Sequence, residues 1–524
     1  MARGGSSGSA AGGTTTSNGG TTTQNGGTTG AGGTQNTGGT SSTGGTSEPA
    51  GPAAYTSTNG NCVSGSETAW KPATVSTSTG NATVTVNDGS ASQTWEGFGG
   101  TFNEKGWDFL QKLSQGDRDR AMQLLFGKEG CNFAIGRIPI GASDYAVDRY
   151  TDDEGGVDTA MANFSTTRDE KYLIPYIKAA LAVKSDIRFW ASPWTPPTWM
   201  KTEPFTAVTH DNATTTSKFD SGNMSDNNDY LKALAQYFGK FVAAYKAAGI
   251  NITMVAPQNE PSYALHYPSC LWTSSVFTKF VGQHLGPALN GTGVSIMAGT
   301  LSNADSGKDV DIGNAVLADS TAKGYIKAAG VQWNVLEKVI GGTTFGGLPI
   351  WATEHKCGNY PWSGATGCGD GGSTSCPAEN KTQAPNDQAY GVESWYQLRR
   401  SINSGRITAY NAWNMVLDVK GLSLDAKREW RQNALLVADT GSKTLKVTPA
   451  YCVFRHFSQF VAVGAKRVAT SGGDAVAFKN PDGTLVAVMF NSGSANNNYV
   501  VSIGGQKLQF SMPGNGWATV VHKP

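Results

Sequence analysis

Two glutamates close two separate apolar runs. ITMVAPQNE (252–260) ends on Gln258, Asn259 and Glu260 before Pro261 stops it, and LPIWATEH (348–355) delivers Glu354. A lone glutamate at a strand end is ordinarily a cap or half of an ion pair. Two of them, carried by different apolar runs, suit another use. One carboxyl stays protonated to assist a leaving oxygen and the other stays ionised to attack or to activate water, the division of labour that cleaves a glycosidic bond. Such a pair needs surroundings that push the two acidities apart. Arg137, inside NFAIGRIPIG (132–141), is the cation that would keep one of them charged. Asp144, Trp194, Asn259, Trp413 and Asn414 also sit at the ends of apolar runs.

Other chemistries find less support. The chain has only six histidines and no G-x-S-x-G, so a serine hydrolase is disfavoured. GFGGTF (97–102) lacks the G-x-G-x-x-G spacing and reads as a tight loop, not a nucleotide site. His355, Cys357, Cys368 and Cys376 match no zinc spacing, so no metal or cofactor is expected. Of the seven cysteines, Cys131 and Cys452 lie in apolar, periodic surroundings and read as buried thiols, while Cys368 and Cys376 could pair locally.

The elements that must position the glutamates alternate along the chain. Apolar strands are expected at 132–141, 186–194, 252–260, 294–300, 348–355 and 407–416. Helical stretches lie between them at 170–183, 228–249 and 275–289. In the second, Leu231, Leu234, Phe238, Phe241, Val242 and Tyr245 recur at steps of three and four. Strand–helix alternation on this scale predicts parallel strands in an α/β (β/α)8 TIM barrel, whose C-terminal strand ends carry the chemistry. The last 80 or so residues change to short alternating strands parted by turns such as Pro481-Asp482-Gly483. They predict an attached antiparallel β-sandwich, with residues 81–86 lending it a strand. The expected domains are a tether over 1–54, N-terminal strands joining the sandwich over 55–95, the barrel over 96–445 and the sandwich over 446–524.

Composition narrows the partners. With 41 basic and 40 acidic residues there is no excess charge for nucleic acid, and no apolar run is long enough to span a bilayer. Residues 4–46 use only Gly, Ser, Thr, Ala, Asn and Gln, too little apolar surface to offset ordering, hence the tether. A secreted, extracellular monomer is expected, although MARGGSS carries no apolar export segment. The 14 tryptophans serve a core and can also supply flat platforms for sugars.

GFGGTFNE, GRIPIGASDY, FWASPWTPPTWMK, VAPQNEPS and HFSQFV occur in this order, and together they resemble glycoside hydrolase family 30. The resemblance runs from about residue 93 to 523. It implies a retaining mechanism with Glu260 as acid/base, Glu354 as nucleophile and Arg137 as the nucleophile's partner. It also implies that Asp144, Trp194, Asn259, Trp333 and Trp413 hold the sugar. Where relatives have H-W-Y, this chain has Gln332-Trp333-Asn334, so the tyrosine's contact with the nucleophile would pass to Asn334 or a loop residue. Relatives also place an amide shortly after the Trp413 strand, a place open here to Glu429 or Asn433. Tyr263, His266, Tyr267, Tyr360 and Trp362 would rim the mouth with polar-tipped aromatics, which favour successive sugars over acyl chains. The expected partner is therefore a polysaccharide or glycoside, with β-1,6-glucan first. Glucosylceramide, β-1,6-galactan and xylan share the chemistry, and an inactive carbohydrate-binding barrel is the distant alternative.

Overall fold

The computed structural model describes residues 51–58, 71–205, 207–208, 214–215, 217–356, 386, 388–424 and 432–524. Eight parallel strands close a barrel: β1 (Gly97–Thr101), β2 (Ile135–Ile140), β3 (Arg188–Pro193), β4 (Ile252–Val255), β5 (Ser295–Leu301), β6 (Ile326–Gln332), β7 (Ile350–Glu354) and β8 (Ile407–Asn414). They lie side by side in chain order, and β8 pairs back onto β1.

Side chains on a strand alternate between faces, and that period sorts this barrel. Ile135, Trp190, Ala256, Met297, Ala328, Trp351 and Ala409 pack together as one layer. Their neighbours Ile138, Phe189, Ala329, Ile350 and Tyr410 belong to the larger core shared with the helices. Stepping by two from the inner layer toward the strand ends gives Arg137, Ser192, Gln258, Gln332, Thr353, Asn411 and Trp413. The alternation thus places a polar layer above an apolar floor.

The helix expected at 228–249 spans Asn228–Ala247. Asn227 caps it by accepting from the backbone N–H groups of Asp229 and Tyr230, and Leu231, Leu234, Phe238, Phe241 and Tyr245 are buried. The stretch at 275–289 is helical with a π-type segment at Phe280–Leu285 between two α turns. No helix among the described residues is long and apolar enough to cross a membrane.

GFGGTF is not a loop. Gly97–Thr101 is a buried barrel strand. Its glycines answer to close approach: a Cβ on Gly99 would lie 2.1 Å from the Ile135 carbonyl oxygen, and one on Gly100 2.5 Å from Met415 Cγ. Strand β6, IKAAGVQ, was not anticipated, because small residues replace the branched apolar ones that mark a strand.

A ten-stranded sheet forms the second layer system. The expected strands at its C-terminal end are present, and Val84–Thr94 joins them. It pairs antiparallel to Lys466–Ser471 and parallel to Asn497–Ile503, so the sheet is not wholly antiparallel. Leu485–Asn491 is buried on both faces. Leu485, Ala487 and Met489 enter the sandwich core, and Val486, Val488 and Phe490 face the barrel's core. Ala53 and Ala54, expected to end the tether, instead begin the strand Ala53–Thr58 on Gly516–His522, because Ala54 has a place in the sandwich core. Cys131 is a buried free thiol, but Cys452 is disulfide-bonded, contrary to its expected state. Cys368 and Cys376 lie outside the described residues.

Candidate active site

At the C-terminal rim, β2, β4, β6 and β7 bring their polar ends together. Arg137 is fully buried on β2, with its Cζ 4.9, 4.4 and 5.3 Å from the ring centres of Trp190, Trp194 and Trp413. Aromatic faces favour a cation that has left water, so Arg137 keeps its charge without bulk solvent. Its Nη1 donates to Glu354 Oε2 at 2.9 Å and its Nη2 to Asn259 Oδ1 at 2.7 Å, and Ser192 Oγ accepts from Nε and Nη2. Trp333 Nε1 donates to the other oxygen, Glu354 Oε1, at 3.1 Å.

Glu260 stands opposite and forms no ion pair among the described residues. Tyr267 donates its hydroxyl to Oε2 at 3.0 Å, and Gln332 Nε2 donates to Oε1 at 3.2 Å. Burial pushes Glu260 up to about 8. The charge of Glu354 adds to this, and the Gln332 and Tyr267 donors oppose it. Burial raises Glu354 as well, but there the Arg137 guanidinium acts against it. Two carboxyls in one cleft are thereby set in different surroundings, one clamped by a cation and one held by neutral donors.

Glu260 has φ +47°, as does Trp333. The left-handed region costs a non-glycine residue about 1–3 kcal/mol and persists only where the surroundings enforce it. At Glu260 the backbone N–H is held by the Thr300 carbonyl at 3.1 Å, and Asn259 N–H by that of Pro193 at 2.8 Å. These bonds take the chain out of β4 and turn the carboxyl into the cleft.

The wall beyond Arg137 is aromatic. Trp194 and Trp413 stack with centroids 5.3 Å apart and planes 26° from parallel. Asp144, on the loop after β2, is buried and its Oδ1 has no hydrogen-bond partner among the described residues. Burial holds its carboxyl well above the ordinary range, and the charges of Glu354 and Glu260 reinforce the shift. Arg137, Asp144, Trp194, Asn259, Glu260, Trp333, Glu354 and Trp413 therefore gather in one cleft.

The structure also revises several sequence expectations. Asn334 is exposed and does not replace the tyrosine; Trp333 and Gln332 contact Glu354 instead, since the left-handed turn at Trp333 brings its ring inward. The amide near Trp413 is Gln432, whose Oε1 accepts from Trp413 Nε1 and Asn414 Nδ2 at 3.0 and 2.9 Å. Asn433 instead accepts from the Asn386 backbone, and Glu429 lies outside the described residues. Tyr267, read as rim, reaches Glu260 itself. Tyr360 and Trp362 fall outside the described residues. His355 cannot be read as a metal ligand here, since its ring nitrogens meet the Tyr410 and Ser394 hydroxyls at 2.7 and 3.0 Å.

Comparison with known proteins agrees with this architecture. The glycosyl hydrolase family 30 TIM-barrel domain matches residues 95–345, and the family's beta sandwich domain matches residues 464–520. The chain belongs to glycosyl hydrolase family 30. As a family 30 protein it is an O-glycosyl hydrolase acting on a carbohydrate substrate. Putative glucosylceramidase 4 of Caenorhabditis elegans is 27% identical over 443 residues, spanning 79% of this chain and 78% of that protein. The endo-1,6-beta-D-glucanase BGN16.3 of Trichoderma harzianum is 24% identical over 464 residues, spanning 85% and 87%. The solved endo-beta1,6-glucanase BT3312 superposes with a TM-score of 0.73 at 24% identity, covering 90% of this chain and 100% of that one, a likeness of fold. The family's barrel match ends before Glu354, and the structure supplies the last two strands of this family 30 barrel.

Proposed function

We propose that this protein is a secreted retaining β-glycosidase that cleaves β-1,6-linked glucan within the chain. Glu354 is the nucleophile and Glu260 the acid/base. In the first step a Glu354 oxygen attacks the anomeric carbon, the bond to the leaving oxygen breaks, and the Glu260 proton passes to that oxygen. In the second, Glu260 takes a proton from water, the water oxygen attacks the same carbon, and the ester to Glu354 breaks, restoring both groups. Trp194, Trp413, Asp144 and Asn259 would seat the sugar beside them.

One observation carries the reading: Gln332 Nε2 reaches Glu260 Oε1 at 3.2 Å and Glu354 Oε2 at 3.4 Å. Two acceptors on one nitrogen, whose N–H bonds diverge by about 120°, fit the ~5–5.5 Å separation of retaining pairs and leave little room for the water of an inverting one. Asp144 and Trp194 suit a gluco-configured sugar. An axial 4-hydroxyl would leave buried polar groups unpaired, a loss of about 1–3 kcal/mol each. The endo-1,6-beta-D-glucanase relative and the polar-tipped Tyr263 favour a glucan over a ceramide.

Proton NMR of the first sugar released tests the mechanism, with a β-anomer expected and an initial α-anomer excluding double displacement. A panel of glucans, galactan, xylan and glucosylceramide tests the substrate. Short β-1,6-gluco-oligosaccharides are the expected early products. Glucose alone from the start, or glucosylceramide as the best substrate, would replace the endo-glucanase reading with an exo-acting glucosidase.

A further inference from the structure

Gln332 ends β6 and is fully buried between the two glutamates. Its amide orientation follows from its neighbours. Oε1 lies 2.9 Å from Thr353 Oγ1, while Nε2 faces Asn259 Oδ1, Glu260 Oε1 and Glu354 Oε2 at 3.3, 3.2 and 3.4 Å. The flipped amide would set an oxygen against the acceptors Asn259 Oδ1 and Glu354 Oε2. Asn259 Oδ1 already accepts from Arg137 Nη2 and, at 3.0 Å, from Thr300 Oγ1, which fills its two lone pairs. The two N–H bonds of Gln332 are therefore left for the two glutamates, one each.

We infer that Gln332 is a positioning residue of the reaction, whose single neutral amide fixes the gap between the glutamates and ties together the two limbs of the pH profile. The inference rests on the roles proposed above for Glu260 and Glu354. A glutamine keeps both N–H bonds at every working pH. A histidine here would have one N–H when neutral and could not serve both carboxyls in the same way.

Among the described residues, few titratable groups face the pair. Glu260 faces Glu354, Tyr267 and Asp309, and it shares the field of Arg137 and Asp144. Glu354 faces Arg137 and Trp333, with Asp144 in the same field. Among these, Gln332 donates to both glutamates, and in each case its N–H favours the ionised form. Removing the amide should raise both carboxyls together. The acid limb, set by ionisation of Glu354, and the basic limb, set by loss of the Glu260 proton, would then both move to higher pH.

Gln332→Met keeps the length of the side chain and removes the donors. The full chain should lose about 10–100-fold in kcat, as when hydrogen bonds to charged groups are removed, with a smaller change in KM. On a β-glucan, both limbs of kcat/KM should shift alkaline. Gln332→His is the second variant, a side chain with a single N–H when neutral, and should move one limb more than the other. If the folded variant, whichever of the two that is, keeps both limbs of the wild-type profile, the inference is overturned. The reading beneath it fails separately: an active Glu354→Gln enzyme would remove the nucleophile, whatever Gln332 does.

Discussion

The cleft and the seam between barrel and sandwich both bury polar side chains, and they treat them differently. At the seam, His456 lies on the fully buried helix Pro449–Ser458. Its Nε2 meets Ser57 Oγ at 2.6 Å and its Nδ1 meets Thr519 Oγ1 at 2.9 Å. Burial drives its pKa well below the usual value, so the ring is neutral and both nitrogens are partnered. In the cleft, three buried carboxyls, Asp144, Glu260 and Glu354, share the field of Arg137, and Asp144 Oδ1 has no partner among the described residues. Around His456 the seam is neutral and paired, which gives stability. The cleft is charged, strained at Glu260 and incompletely satisfied, which leaves interactions for a substrate to complete.

Substitutions in the two regions should therefore separate rate from stability. The largest effect belongs to Glu354→Gln, expected to lower kcat by roughly 10⁴-fold or more while the unfolding midpoint stays near wild type. Glu260→Gln should lose about 10²–10⁴-fold on a natural glycan. It should lose far less on an aryl glycoside whose leaving group needs no proton. Equal losses on both substrates would remove Glu260 from the acid role.

Next comes the seam. Ser57→Ala or Thr519→Ala takes a hydrogen-bond partner from a buried His456 nitrogen and should cost about 1–3 kcal/mol of stability. In urea titration the midpoint should fall, with kcat unchanged in native buffer. A fall in kcat without a fall in midpoint would show that the seam and cleft are coupled, and the contrast would break.

A smaller effect tests the cost of the cleft. Glu260 has its folded pKa raised to about 8, above the unfolded value. Its protonated form therefore contributes stability that is present below the unfolded carboxylate value and is lost as pH rises through about 8. Glu260→Gln keeps a neutral side chain at every pH, so thermal melts should show the variant gaining on wild type from pH 5 to pH 9. A constant difference across that range would mean that Glu260 is not held protonated. The smallest effect belongs to the N-terminus: deleting residues 1–50 should change neither midpoint nor turnover on soluble glucan, whereas cutting into Ala53 and Ala54 should lower the midpoint.

Much of this was legible from local pattern. The alternation in NFAIGRIPIG and ITAYNAWNMV puts Arg137 and Trp413 on the inner face, and both glutamates follow apolar runs. Strand β6 was missed because IKAAGVQ has few bulky apolar residues, and Gln332 went unassigned with it. Counting by two from Ala328 would have found it once the strand was known. Gly97–Thr101 looked like a loop because its glycines are required by Ile135 and Met415, neighbours that a local reading cannot see.

By itself the sequence determined which residues share a strand face, where the helices cap and which side chains could do acid–base chemistry, because these depend on neighbours one to four positions away. Only the tertiary structure decided which partners meet. Arg137 and Glu354 are 217 positions apart, and Trp413 takes Gln432 rather than Asn433. Glu260 and Glu354 become unlike only when the barrel closes and sets Arg137 beside one of them. Burial and charge act through space, so chain order alone could not tell the two glutamates apart.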